Sequence, residues 1–255
     1  MDLSDPASID AFSKQFLAAR RPLHILVNSA GIMAVPELTH DARGHEIQFA
    51  TNHLGHFQLT LRLWPALVKA QGARVISVSS RGHRRSPVVF DDIDFGHRPY
   101  HPWGAYGQSK TANILFAVEV DRLGQKEGIR AFALHPGSIV DTGLAKYLTT
   151  DDLKARGVVD ADGRPIINLA NDLKTLEQGA ATQVWCATSP RLDGLGGVYC
   201  ENSDIAPLNQ SGGDSRTTGV DAPKGSGVLP YAVDHEAAVR LWRISRQMLG
   251  MPASV

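Results

Sequence analysis

Cysteine is almost missing: Cys186 and Cys200 are the only two in 255 residues. Two widely spaced cysteines make neither a disulfide framework nor a cysteine zinc site, and such scarcity suits a reducing compartment. Net charge is missing as well. Lys plus Arg and Asp plus Glu number 26 each, so there is no basic field for a polyanion, and no nucleic-acid partner is expected. The densest basic stretch, Arg81-Gly82-His83-Arg84-Arg85, is short and reads as a solvated loop. No apolar run approaches the ~18–20 residues of a membrane span. The opening Met1-Asp2-Leu3-Ser4-Asp5-Pro6 has neither the basic nor the apolar region of a secretory leader. These absences lead to the expectation of a cytoplasmic protein with no membrane span.

What is present is an ordinary globular share of apolar residues, 43%, in an alternating arrangement. Short apolar runs at 24–27, 74–79, 130–134 and 197–200 alternate with longer helical patterns at 6–19, 44–70, 106–126 and 234–249, the signature of β-α-β units and a parallel sheet. Asp5 is placed to cap the first helix and Pro6 to begin it. Residues 143–174 are mixed in character and fall beyond a strand's carboxyl end, where a doubly wound fold carries its ligand; they read as a substrate lobe. Residues 210–230, rich in Gly, Ser and Thr, read as a mobile surface excursion. One domain covering 1–255, with that lobe inserted, is the economical organisation.

The chemistry centres on Tyr106-Gly107-Gln108-Ser109-Lys110 at the head of a helix. Tyr and Lys at i and i+4 share one helical face. A lysine ammonium there favours tyrosinate and is expected to pull the phenol from its usual pKa, about 10, toward working pH. Such a phenol can give a proton to a carbonyl oxygen or take one from an alcohol. The run ending in Ser79-Ser80 delivers hydroxyls at a strand end. Asn52, within Thr51-Asn52-His53-Leu54-Gly55-His56, is a poor helix former placed mid-helix. The small residues of Asn28-Ser29-Ala30-Gly31, and later Pro136-Gly137, let a flat ligand approach the backbone. A metal-hydrolase reading would draw on His53, His56, His83, His97 or His101, yet neither a carboxylate nor a further His completes a ligand set beside the first two.

In this order, Asn-Ser-Ala-Gly, the mid-helix Asn, the strand-end Ser, Tyr-x-x-x-Lys and Pro-Gly resemble the short-chain dehydrogenase/reductase family. Thr51 to Phe57, the 26-residue step from Ser80 to Tyr106 and His135-Pro136-Gly137 are similar to its retinol dehydrogenase and WW-domain oxidoreductase branch. The resemblance implies a Rossmann-like, doubly wound α/β fold. It also implies an NAD(P)(H)-dependent enzyme that interconverts a small-molecule alcohol and a carbonyl by hydride transfer, NADP slightly favoured over NAD. Tyr106 would be the acid/base, Ser80 would hold the substrate oxygen, and Lys110 would bind the nicotinamide ribose and depress the Tyr106 pKa. Asn52 would fix a water that relays protons through Lys110. Asp2 and Leu3 would meet the adenine. Asn28, Ala30 and Gly31 would line the cofactor, beside Pro136 and Gly137, and the Ile139 backbone would face the carboxamide. The family's Thr falls at Asp141 here, leaving Thr142 to substitute one position later.

One element of the family pattern is not found: a strand followed by T-G-x-x-x-G-x-G, which sets a pyrophosphate on a helix N-terminus. Gly194-Leu195-Gly196-Gly197 precedes a strand and reads as a turn. The expectation is therefore an N-terminally truncated sheet with the first three strands absent. In a sheet ordered 3-2-1-4-5-6-7, the strand at 25–27 would then be an exposed apolar edge, leading to aggregation or a homodimer. The alternative to an active oxidoreductase is a non-catalytic remnant that binds cofactor poorly. An in-frame glycine motif upstream of Met1 would separate the two.

Overall fold

In the computed structural model, which describes residues 1–210 and 226–252, the alternation seen in sequence becomes a parallel α/β arrangement. In chain order it comprises α1 (Pro6–Ala18), β1 (Ile25–Asn28), α2 (Ile47–Phe49), α3 (Gly55–Lys69), β2 (Ala73–Val78), α4 (Pro102–Gly124), β3 (Ile129–His135), α5 (Thr150–Ala155), α6 (Leu176–Thr188), β4 (Val198–Glu201), β5 (Asp204–Ile205) and α7 (His235–Met248). The described strands form one sheet in the order β1-β2-β3-β4-β5. The first four run parallel, and the short β5, which the sequence pattern did not show, turns back antiparallel on β4. The sheet is Rossmann-like, with helices on both faces. Most of the excursion read at 210–230 lies outside the described residues.

The central strands are apolar at successive positions because both of their faces are covered. Val75 and Ala131 point to the side of α3, α4 and α7, among Phe57, Phe116 and Trp242. Ile76, Val78, Phe132 and Leu134 point to the other side, against Cys186 of α6 and Cys200 of β4. β1 forms one edge of this sheet, and its Ile25 and Val27 are 43% and 40% exposed. Asp5 caps α1 by accepting from the Ala7 N–H at 2.9 Å, with Pro6 in the first turn. Buried Ile9 then seats α1 on Leu59 and Leu63 of α3.

Two helices depart from the sequence reading. The pattern over 44–70 is two α-helical pieces joined by a π-helical turn, Ala50–Leu54, that contains Asn52. Such wide turns leave backbone groups free of the regular ladder and concentrate at functional sites. α4 starts a turn earlier than expected, because His101 caps it through the Gly104 N–H at 3.2 Å and Pro102 occupies its first turn. Tyr106 therefore sits in the second turn, not at the head. α4 is buried along nearly its whole length.

Candidate active site

The polar residues singled out by sequence gather where the carboxyl ends of β1, β2 and β3 open. Beyond Val78, the Ser79 hydroxyl donates to the Lys110 carbonyl at 2.7 Å, tying the strand end to α4. Ser80 caps the 3-10 turn Arg81–Arg85, its Oγ accepting from the Gly82 N–H at 2.9 Å, and it also hydrogen-bonds the Tyr106 side chain. Two glycines allow this approach. A Cβ on Gly82 would lie 2.6 Å from Tyr106 Cε1, and one on Gly107 would lie 2.8 Å from the Gly82 carbonyl oxygen. Neither glycine was recognised as a site residue in the sequence. The only signal, a glycine inside the basic run and one inside Tyr-x-x-x-Lys, carries no information about which element packs opposite.

The basic run itself is not a solvated loop. His83 and Arg84 are buried, because the chain folds over them. His83 Nδ1 donates to the Ser80 carbonyl at 2.7 Å, its Nε2 accepts from the Leu229 N–H at 3.3 Å, and its ring meets Tyr199 edge-on at 5.2 Å. Arg84 donates to the Gly227 carbonyl at 2.6 Å and faces Glu201 at 3.6 Å. The run is the scaffold that sets the Ser80 backbone.

Behind Tyr106 lie Lys110 and Asn52. Lys110 Nζ donates to the Val78 carbonyl at 3.1 Å and stands 5.7 Å from the Tyr106 ring centre. The Asn52 side chain accepts from the Ile32 N–H at 2.8 Å and donates to the Ile32 carbonyl and to Ser109 Oγ, each at 2.9 Å. It splints the loop after β1 to α4. Its backbone carbonyl is taken by His56 Nδ1 at 2.8 Å; a carbonyl only accepts, so that nitrogen carries the proton. Gly31 lies between the two groups: a Cβ there would come within 2.9 Å of Asn52 Oδ1 and 3.6 Å of Lys110 Nζ.

The electrostatics differ from the sequence expectation. Burial pushes the Tyr106 phenol up to about 12, with the Ser80 hydrogen bond pulling weakly the other way. Burial also pulls the Lys110 ammonium down to about 8. The reason is shared: the cation meant to favour tyrosinate is itself desolvated beneath the phenol and turned toward the Val78 carbonyl. In this chain burial therefore favours the protonated phenol over tyrosinate.

The residues assigned to a cofactor divide into two groups. Asn28 ends β1, with Ala30 and Gly31 just after it, and Pro136, Gly137 and Ile139 follow β3, so the two groups stand at the carboxyl ends of the strands on either side of β2. Gly137 has φ +100°, and a Cβ on it would strike the Lys174 side chain at 2.5 Å. Asp2 and Thr142 are spent locally. Asp2 accepts from the Ser4 N–H and hydroxyl at 2.8 and 2.7 Å, and Thr142 caps Gly143–Ala145 through the Leu144 N–H. Leu3 is buried against the start of α3, where its backbone leaves no room for a side chain on Gly55.

A charged cluster that the sequence did not reveal secures the end of β3. Asp172, in the left-handed region at φ +60°, accepts from His135 Nε2 at 2.8 Å, pairs with Lys174 at 3.0 Å and also binds Arg81. His135 Nδ1 accepts from the Arg81 N–H at 3.2 Å. Although partial burial opposes ionisation, these partners hold the Asp172 carboxyl well below the usual carboxylate range. His135-Pro136-Gly137 was legible, but Asp172 and Lys174 lie too far along the chain for spacing to connect them. In front of the cluster a cavity of about 350 Å³ runs from Ser80 and Tyr106 to Leu144, Leu148 and Val158 of the 143–174 segment.

The histidines weighed as metal ligands are otherwise engaged or dispersed. His53 Nε2 meets Ser245 Oγ at 2.7 Å, and among the described residues no group of three or more His, Cys, Asp or Glu side chains gathers in a way that could hold a metal. No described helix is long and apolar enough to cross a membrane.

The sequence profile of the short chain dehydrogenases matches residues 1–153. A Streptomyces lividans protein named "Probable oxidoreductase" is 44% identical over 249 residues, covering 98% of this chain and 78% of its own length. Bovine retinol dehydrogenase 12 is 34% identical over 251 residues, with 98% and 69% covered. The crystal structure of an uncharacterized protein from Mycobacterium Paratuberculosis superposes with a TM-score of 0.67 at 28% identity, covering 100% of this chain and 76% of that one. With its parallel sheet and the Ser80, Tyr106 and Lys110 arrangement at the strand ends, the chain belongs to the short-chain dehydrogenase family of oxidoreductases and is retinol-dehydrogenase-like within it.

Proposed function

We propose that this chain interconverts an alcohol and a carbonyl with NAD(P)(H), Tyr106 acting as the acid/base. The observation that carries the reading is the convergence of the Tyr106 phenol and the Ser80 hydroxyl on one cavity, with Lys110 buried behind them. Ser80 holds the substrate oxygen. Tyr106, kept protonated by burial, can give its proton to that oxygen, and as phenolate it can take one back from the alcohol. Leu144, Leu148, Leu153 and Val158 of the otherwise mixed 143–174 segment line the side of the cavity facing Tyr106. Asn52 positions the group by fastening the Gly31 loop to α4.

The residues present suit a nicotinamide nucleotide. Asn28 Oδ1 is buried with no hydrogen-bond partner among the described residues, an acceptor suited to a hydroxyl. Gly31 keeps the wall beside Asn52 and Lys110 flat. Asn28, Ala30, Gly31, Lys110, Pro136 and Gly137 would hold the nicotinamide-ribose end, with the Ile139 backbone facing the carboxamide, Asp2 and Leu3 toward the adenine, and Thr142 substituting one position after the family's Thr. When bound, such a cofactor supplies or accepts the hydride. NADP is favoured over NAD by likeness to the retinol dehydrogenase branch, and the 143–174 segment is taken as the substrate lobe.

The test is Tyr106→Phe. Turnover should fall by roughly 10²–10⁴, the usual worth of general acid–base catalysis, while cofactor affinity measured by calorimetry is unchanged. Near-normal turnover in the variant would remove Tyr106 from the mechanism.

A further inference from the structure

The peptide that joins Ser80 to Arg81 is gripped at both ends by a histidine. Its carbonyl oxygen accepts from His83 Nδ1 at 2.7 Å, and its N–H donates to His135 Nδ1 at 3.2 Å. The two rings are opposite tautomers. A carbonyl only accepts, so His83 carries its proton on Nδ1, and its Nε2 takes the Leu229 N–H at 3.3 Å. A backbone N–H only donates and a carboxylate only accepts, so His135 is bare at Nδ1 and carries its proton on Nε2, 2.8 Å from Asp172. Asp172 thereby settles which nitrogen of His135 is left to receive Arg81. His135 is buried and lines the cavity with Ser80 and Tyr106. Both of its ring nitrogens are engaged within the protein, which leaves it no part as an acid or base toward substrate.

Charged groups reach His135 from three elements. From the turn after β2 come Arg81, whose Nε stands 3.2 Å from His135 Nε2, and His83, kept neutral by burial at about 3. From the end of the 143–174 segment come Asp172 and the Lys174 paired with it. From β4 comes Glu201, which is in register with His135 and is faced by Arg84. Burial is the largest influence and, with Arg81, holds the imidazolium below its ordinary range, against the pull of Asp172 and Glu201. With a carboxylate beside it, His135 is the half of the grip that protonation can open. We propose that His135 is a positioning residue for Ser80: with its proton fixed on Nε2 by Asp172, it holds the Ser80–Arg81 peptide so that the Ser80 hydroxyl meets the substrate oxygen beside Tyr106, and a second proton on the ring releases that peptide. This inference rests on the oxidoreductase reading above for what Ser80 holds; the grip itself is read without turnover.

Two replacements separate the ring's two bonds. An Asn side chain reaches as far as Nδ1 and can accept from the Arg81 N–H, whereas a Gln amide reaches as far as Nε2 and can donate to Asp172 with no acceptor left at Nδ1. Hydrogen exchange at the Arg81 amide should stay slow in the wild type and in His135→Asn and accelerate about tenfold or more in His135→Gln. With octanal and NADPH as probes, kcat should fall roughly 10–10²-fold in His135→Gln, the scale of a misplacement of up to about 1 Å, and by less than about threefold in His135→Asn. The pH profile is a readout that packing alone would not move. Wild-type kcat should drop below about pH 6.5 as Nδ1 gains a proton and meets the Arg81 N–H donor to donor, and His135→Asn, with nothing there to titrate, should lack that acid limb. The wild-type ring supplies a check that needs no variant: nitrogen-15 spectra should show Nδ1 bare and Nε2 protonated near neutral pH. The opposite tautomer, equal Arg81 exchange in all three proteins, a Gln variant as active as the wild type, or an acid limb unchanged in His135→Asn overturns the proposal. Failure to reduce octanal, or reduction that survives Tyr106→Phe, counts against the oxidoreductase reading, and the Arg81 exchange and ring tautomer then decide the grip.

Discussion

The floor of the site and the segment that covers it are built by opposite means. The floor, Asn52, Ser80, Tyr106 and Lys110, is held by short-range steric exclusion and by side chains hydrogen-bonded to backbone, as with Asn52 on Ile32 and Lys110 on Val78. Glycines at 31, 82 and 107 leave no slack. The 143–174 segment has many exposed positions, its glycines 143 and 157 have nothing within 4 Å of a built Cβ, and it is anchored at one end by the Asp172 cluster. Groups that must meet within hydrogen-bond reach need preorganisation; a segment with open space around its glycines tolerates variation. The comparison can be broken or sharpened by substitution.

The largest effect is expected from adding a single carbon to the floor. In Gly82→Ala the new Cβ would sit 2.6 Å from the Tyr106 ring, displacing the phenol from Ser80. Turnover should drop by roughly 10²–10³, as a misplacement of about 1 Å can cost, while circular dichroism reports a retained fold. The matching change in the covering segment, Gly143→Ala, should leave kcat/KM within about twofold, since open space surrounds it. Similar losses in both variants would abolish the distinction.

Next is the Asp172 cluster that anchors the covering segment. Asp172→Asn keeps shape and tolerates the left-handed backbone but strips charge from the hub that binds Arg81, His135 and Lys174. Removing one partner of a buried pair costs up to about 3–5 kcal/mol, less here because the site is half open. Protease cutting within 143–174 should accelerate before the core melts. Because Asp172 is held below the ordinary carboxylate range, its contribution is present above about pH 4 and lost as pH falls further. The variant should therefore lack that acid-side loss.

A pH titration probes the floor's underside. Glu46 caps α2 through the Gln48 and Phe49 N–H groups, and burial pushes it up to about 7. The folded protein thus binds its proton more tightly than the unfolded chain does. Stability contributed by Glu46 is greatest below about pH 4.5 and is lost as pH rises toward 7. The wild-type curve should fall relative to that of Glu46→Gln across this window, by an amount on the order of 3 kcal/mol at most. Parallel curves would refute the shift. The smallest effect is expected from Thr149→Ala, which opens the capping box of α5 and should cost about 1 kcal/mol, confined to the covering segment.

Much of this was legible beforehand, for identifiable reasons. The four parallel strands declared themselves as apolar runs, the central ones because both of their faces are buried. α1 was marked by Asp5 and Pro6, and the four residues of the floor by their types and order. The edge exposure of Ile25 and Val27 followed from β1 lying outside β2. What escaped was contact between distant segments. Arg81 to Arg85 looked solvated because nothing local reveals that Gly227, Leu229 and Glu201 return to cover it. The phenol's upward shift escaped because an i, i+4 rule assumes a solvated ammonium, and burial is a property of the packed helix.

Residue type, spacing and cap chemistry act over a few positions, and they by themselves determined the alternating α/β class, the start of α1 and the choice of Asn52, Ser80, Tyr106 and Lys110 as candidates for the proton chemistry. Tertiary structure alone decided the π turn at Asn52, the protonation balance of Tyr106 and Lys110, and the Asp172 hub. Each of these depends on what a neighbouring element excludes or desolvates, and steric exclusion and dielectric are set by the assembled fold, not by the local chain.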